Sequence, residues 1–142
     1  MKLQIIAMVT LLWAGMVLGI SFLESWVKFR TPSLTKPVGL DVGRTVFSMF
    51  YKIQNCIYLT IGLMSLFAPI SIIDWLFLGG IGLILSLQIF LLLPKLNSRI
   101  DVIIAGGKPA PSPVHALYGM AEILKLVLLI LFSVTLLFKT CL

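Results

Sequence analysis

Residues 112–138 read SPVHALYGMAEILKLVLLILFSVTLLF, an apolar segment that cannot cross a bilayer without carrying charge into it. Lys125 and Lys139 leave too few residues between them to traverse about 30 Å of hydrocarbon, which takes roughly 20 helical positions. A spanning helix must therefore begin upstream, near Ser112. It then takes in His115, Tyr118, Glu122 and Lys125, whose spacings of three, four and three put all four on one face at about 100° per residue. Such a stripe has to turn toward protein or enclosed water, so its ionisable members are candidate functional groups. Ser112 before Pro113 makes a helix start, a hydroxyl cap followed by proline at the first helical position.

The rest of the chain belongs to the same solvent. It has 142 residues, of which 60% are hydrophobic and 11% charged, and its mean hydropathy is +1.13, well outside the soluble globular range. About four helices with short connections use this length. The pattern predicts one all-α transmembrane domain, a four-helix antiparallel bundle with helices at about 3–29, 41–67, 74–105 and 113–138. Met1-Lys2 before an apolar run could open a signal peptide. The run is of full span length with no small-x-small cleavage site, and it reads as a retained first helix.

Gly15 and Gly19 give helix 1 a GxxxG spacing that favours close approach of a neighbour. At its end Glu24 and Lys28 stand one turn apart in the favourable acid-first order. Glu24 either stays with Lys28 or points inward toward the helix 4 stripe. Pro32, Pro37, Gly39 and Gly43 mark residues 31–43 as a connection. In helix 2, Arg44, Ser48, Tyr51 and Asn55 recur at four, three and four, a second polar stripe, and Pro69 ends the apolar run. Asp74 opens helix 3, where Pro94 kinks or stops the chain and Gly106-Gly107 terminates it. Gln88, Lys95 and Arg99 share a face there.

The net charge of +6 is concentrated at the ends of apolar runs, where it orients membrane proteins, and nucleic-acid binding is not indicated. Lys28, Arg30, Lys36, Arg44 and Lys52 flank the first connection and Lys95, Arg99 and Lys108 the third; Lys2 and Lys139 are the basic residues opposite. Both basic connections therefore belong on the cytoplasmic side of the inner membrane, with the termini out (N-out/C-out). Glu24, Arg44, Tyr51, Asn55, His115, Tyr118 and Glu122 then share the cytoplasmic half and could line one pocket. The outer half offers little beyond Thr60, Ser133 and Thr135, which argues against a continuous hydrophilic channel.

Within that set, Glu122 and Lys125 could neutralise each other at i, i+3, or Glu122 could pair with Arg44 or accept from Tyr51. His115, Glu122 and Glu24 are the one set with metal-ligand chemistry. With one histidine and no HExxH or cysteine cluster, no metal site is expected, haem is unsupported, and the cofactor is left open. Cys56 and Cys141 form neither CxxC nor a disulfide framework. A GxSxG elbow and a P-loop are both missing, and GGIG at Gly79 to Gly82 lies inside an apolar run.

Gly15–Phe47 (GMVLGISFLESWVKFRTPSLTKPVGLDVGRTVF), Leu93–Gly107 (LPKLNSRIDVIIAGG) and His115–Leu126 (HALYGMAEILKL) together resemble a group of small, uncharacterised bacterial four-helix membrane proteins. More distantly they are similar to families related to the copper-resistance D membrane proteins. Those share an aromatic-rich end of the first helix, an Asn/Arg-bearing end of the third and a polar start to the fourth. The resemblance implies the fold and brings no catalytic residues. The chain lacks the several His or Met ligands that copper chemistry favours, so copper is not carried over. The reading that results is a non-enzymatic membrane protein, an accessory or assembly subunit or a small-ligand binder, in a homo-oligomer or larger complex. The alternatives are an enzyme acting on a lipophilic substrate through Glu122, His115 and Tyr118, and then a small transporter.

Overall fold

A computed structural model describes residues 1–141. Among the described residues the secondary structure is entirely helical, in four long helices: α1 (Lys2–Lys28), α2 (Lys36–Leu66), α3 (Ile72–Ile104) and α4 (Val114–Cys141). Each connection is short, so neighbours run antiparallel. The ends confirm this: Lys2 Nζ donates to the Phe67 carbonyl at 3.1 Å, and Lys139 reaches Asp74. The termini and the α2–α3 turn therefore share one end of the bundle. At the other, Arg44 of α2 meets Asp101 of α3 and Arg99 donates to the Ala110 carbonyl. α1 packs most extensively on α4, which also packs on α3, while α2 closes the ring against α1 and α3.

α1, α3 and α4 are long and apolar enough to cross a membrane. α2 is not among them, because Lys52, Gln54 and Asn55 interrupt its apolar stretch. It also starts earlier than its composition suggests, at Lys36 and not near residue 41. Pro37 fits the first turn, where a missing N–H loses no bond. Gly39 and Gly43 serve close packing instead of a turn. A Cβ on Gly43 would stand 2.5 Å from Lys28 Nζ, and one on Gly39 would stand 3.3 Å from the Phe29 ring.

Two helices change pitch midway. Leu18–Glu24 in α1 and Gln88–Leu92 in α3 are π-helical. In α3 the reason is Pro94, which has no N–H and crowds the carbonyl four residues back. That carbonyl belongs to Phe90, inside the wider turn, and the helix runs on through the proline. The inserted turn also separates residues that an unbroken period places together: Gln88 is fully buried and Lys95 exposed. At the end of α3, Gly106 adopts φ 81°, and the Gly106 and Gly107 amides donate to the Ile103 and Val102 carbonyls. This is a Schellman stop of the kind Gly-Gly favours.

The core is built around Trp13, fully buried between α1 and α2. Its indole N–H donates to Gln54 Oε1 at 3.1 Å, and its ring meets Tyr58 edge-on at 6.4 Å. Tyr58 in turn donates to the Leu78 carbonyl at 3.3 Å, passing over Gly82, where a Cβ would lie 2.2 Å from its hydroxyl. Gly79 is different, since a Cβ there meets nothing within 4 Å. Gly82→Ala is therefore expected to destabilise the bundle by about 1–3 kcal/mol through overpacking. Gly79→Ala should be neutral or slightly stabilising, as alanine is the better helix former. Thermal unfolding of both variants in the same detergent checks this, and equal midpoints would contradict it.

Polar chemistry also occurs at the terminal end, against the expectation that this half carries little. Asp74 is fully buried. It accepts from the Ser71 amide at 2.7 Å and the Ser71 hydroxyl at 2.9 Å, pairs with Lys139, and lies 3.2 Å from the Thr135 hydroxyl, whose proton is shared with the Phe132 carbonyl at 2.8 Å. Ser71 and Asp74 form a capping box at the start of α3. This pattern satisfies amides that the first turn leaves open.

Candidate functional site

α4 begins where its sequence indicates, with Ser112 Oγ accepting from the Val114 amide at 3.3 Å. One turn further on, its polar stripe divides. Glu122 and Lys125 sink completely, at 1% and 0% exposure, and pair at 2.8 Å. Each charge has further partners, the condition under which a buried pair is tolerated. Glu122 Oε1 also accepts from Gln88 Nε2 at 2.7 Å, Glu122 Oε2 accepts from Ser21 Oγ at 3.0 Å, and Lys125 Nζ donates to Gln88 Oε1 at 3.0 Å. Ser21 and Gln88 come from the two π-helical segments, so both pitch changes lie against the same ion pair. Wide turns of this kind recur at functional sites.

Above this network lies a cavity of about 720 Å³ at the end of the bundle that holds the α1–α2 and α3–α4 connections. All four helices line it, and its walls are mostly apolar, among them Phe22, Phe47, Leu96 and Ile100. The polar side chains in the lining are Lys28, Lys36, Arg44, Asn97, Arg99, His115, Tyr118 and Glu122, with Ser21 and Ser25. An apolar concavity of this volume with a few convergent polar side chains is the common form of a small-molecule site. Tyr118 is packed edge-on against Phe47 at 5.6 Å, and its buried hydroxyl has no hydrogen-bond partner among the described residues.

Of the residues that the sequence singles out, Arg44, His115, Tyr118 and Glu122 line this cavity. The others do not. Lys125 lies beneath it in the buried network. Tyr51 is buried with an unpartnered hydroxyl, while the Asn55 amide turns back to the Tyr51 carbonyl at 2.9 Å. Arg44 does not pair with Glu122; it bonds Asp41 at 2.5 Å and Asp101, which hold it at the mouth. Glu24 remains with Lys28 at 3.1 Å, and here it is the lysine that is buried, laid across the space left by Gly43. Glu24, Glu122 and His115 do not converge, and among the described residues no three His, Cys, Asp or Glu side chains gather as a ligand set.

Ser21 and Gln54 are the polar residues that spacing overlooks, and Gln88 is one it assigns to the wrong neighbours. Gln88 stands out in an otherwise apolar run from Trp75 to Leu93. An amide so placed is expensive in hydrocarbon unless it is bonded, which is itself a signal of a buried partner. Compared with protein-family models, with curated proteins and with solved structures, the chain matches none.

Proposed function

We propose that this is a multi-pass protein of the bacterial cytoplasmic membrane that binds a small molecule, without transforming it, in the cavity at its cytoplasmic end. In this reading α2 is a fourth span, with Gln54 buried against Trp13 of α1 and Lys52 exposed. The basic connections face the cytoplasm and both termini face out. The observation that carries it is the division of labour in the α4 stripe. Both oxygens of Glu122 are engaged by Lys125, Gln88 and Ser21, so the carboxylate acts as a structural floor and not as a free acid or base. Above it lies a roomy, largely apolar cavity with Tyr118 in its wall.

An accessory role in an oligomer or larger complex fits the same molecule. A Cβ added at Gly15 or Gly19 would meet no other part of this chain within 4 Å beyond its own helical turn, a surface suited to a neighbouring helix.

Gly119 offers a direct test, because it lines the cavity and a Cβ there meets nothing within 4 Å. Gently extracted wild-type protein should carry a non-covalent adduct of constant mass in native mass spectrometry. Gly119→Phe, which puts a ring into the cavity from a position where a Cβ meets no neighbour, should retain clearly less of the adduct. An adduct retained undiminished by Gly119→Phe, or a chain that is bare from the start, would rule out this site.

A further inference from the structure

We infer that the cavity takes an anionic amphiphile from the inner leaflet, a lipid-derived molecule with one phosphate headgroup and an alkyl chain, its headgroup held by Lys36 and Arg99. This rests on the small-molecule reading above and names the class of ligand. Four cations line the cavity against a single carboxylate, Glu122. That carboxylate is fully occupied below, by Lys125, Gln88 and Ser21. Two of the cations are also neutralised, Lys28 by Glu24 and Arg44 by Asp41 and Asp101.

Lys36 and Arg99 remain, with no carboxylate partner among the described residues. Arg99 donates only to the Ala110 carbonyl, which leaves most of its guanidinium donors open. Lys36 stands in the first turn of α2, whose N-terminus has no side-chain cap. The partial positive charge of that helix end adds to the ammonium. A guanidinium and an ammonium that line one cavity favour a phosphate over a neutral headgroup. The apolar walls beneath suit a hydrocarbon chain and offer little to a fully hydrophilic anion. Basic pockets between helices on the cytoplasmic side are where anionic lipid headgroups bind membrane proteins.

The test uses the full chain in a nonionic detergent, with affinities read by native mass spectrometry for three probes. These are lysophosphatidylglycerol, lysophosphatidylcholine of the same chain length, and glycerol 3-phosphate. The anionic lysolipid should bind about tenfold tighter than the zwitterionic one, the factor that one charge-assisted hydrogen bond readily supplies. Glycerol 3-phosphate should not bind measurably. In K36Q/R99Q the preference should vanish, while Lys108→Gln, a lysine of the α3–α4 connection outside the cavity, should leave it unchanged. Equal affinity for the two lysolipids, reduced by Gly119→Phe, would overturn the anionic assignment and leave the small-molecule site standing. No binding of either lysolipid, together with a wild type free of any adduct, would overturn both. Tight binding of glycerol 3-phosphate would replace the lipid with a free phosphate ligand. Selectivity that survives in K36Q/R99Q would overturn the assignment to these two cations.

Discussion

Replacing Lys125 with methionine is expected to lower the stability of the bundle by about 3–5 kcal/mol, the range found when one partner of a buried ion pair is removed. Lys125 and Glu122 are both fully enclosed. Without the ammonium, Glu122 keeps hydrogen bonds from Gln88 and Ser21 but has no compensating charge. An uncompensated carboxylate among apolar helices is the costly state, whereas the pair as a whole contributes little net stability. Glu122→Gln in the Lys125→Met background should therefore restore most of the loss. A glutamine at that position can still accept from Ser21 and exchange hydrogen bonds with Gln88, and methionine fills much of the lysine stem. Unfolding in mixed detergent micelles, followed by tryptophan fluorescence, provides the measurement. A double variant no more stable than Lys125→Met alone would mean that the charges are not coupled as described.

The coupling of these two residues is readable from i, i+3 spacing, and so is the stripe from His115 to Lys125. What spacing does not reveal is which part of the stripe is buried and what meets it. Gln88 reaches Glu122 through a π-helical turn, and a face calculated at a constant 3.6 residues per turn assigns it to the wrong neighbours, Lys95 and Arg99. Pro94 is the visible cause, so the break in period could be anticipated, although the new direction of Gln88 could not. In α1 the wide turn at Leu18–Glu24 has no proline to announce it, and Ser21 is correspondingly missed.

Arg44 illustrates competition between partners. The helical face points it toward the α4 stripe, but Asp41, three residues earlier, is an equally plain signal. With Asp101 added from α3, the guanidinium is held at the mouth of the cavity. Glycine misleads for a different reason. Gly39 and Gly43 read as turn residues beside Pro32 and Pro37, while their use is to let Phe29 and Lys28 lie against the first turns of α2. Only the partner's position distinguishes a glycine needed for conformation from one needed for space.

Asp74→Ala is the second substitution expected to have a large effect, about 3 kcal/mol, since it removes several hydrogen bonds to one buried carboxylate that are each worth about 1.5–3 kcal/mol but do not add fully. It opens the capping box with Ser71, releases the Thr135 hydroxyl and unties Lys139 at once. The reciprocal change should be milder. Lys139 has a side chain 34% exposed, but Asp74 is fully buried, so Lys139→Met leaves an enclosed carboxylate without its counter-charge, held by the Ser71 amide and hydroxyl at the N-terminus of α3. A loss of about 1–2 kcal/mol is expected there, smaller than for Lys125→Met because the helix N-terminus and the Ser71 donors still stabilise the carboxylate. This asymmetry separates a helix-start anchor from a simple ion pair: if the pair were the main contribution, both variants would lose equally. The cluster also lies at the opposite end of the bundle from the cavity. Asp74→Ala should therefore shift the unfolding midpoint while the folded fraction keeps its adduct in native mass spectrometry, whereas Gly119→Phe should retain clearly less of it. If Asp74→Ala abolished the adduct in the folded fraction, the two ends would be conformationally coupled and the cavity would not be the self-contained site described above.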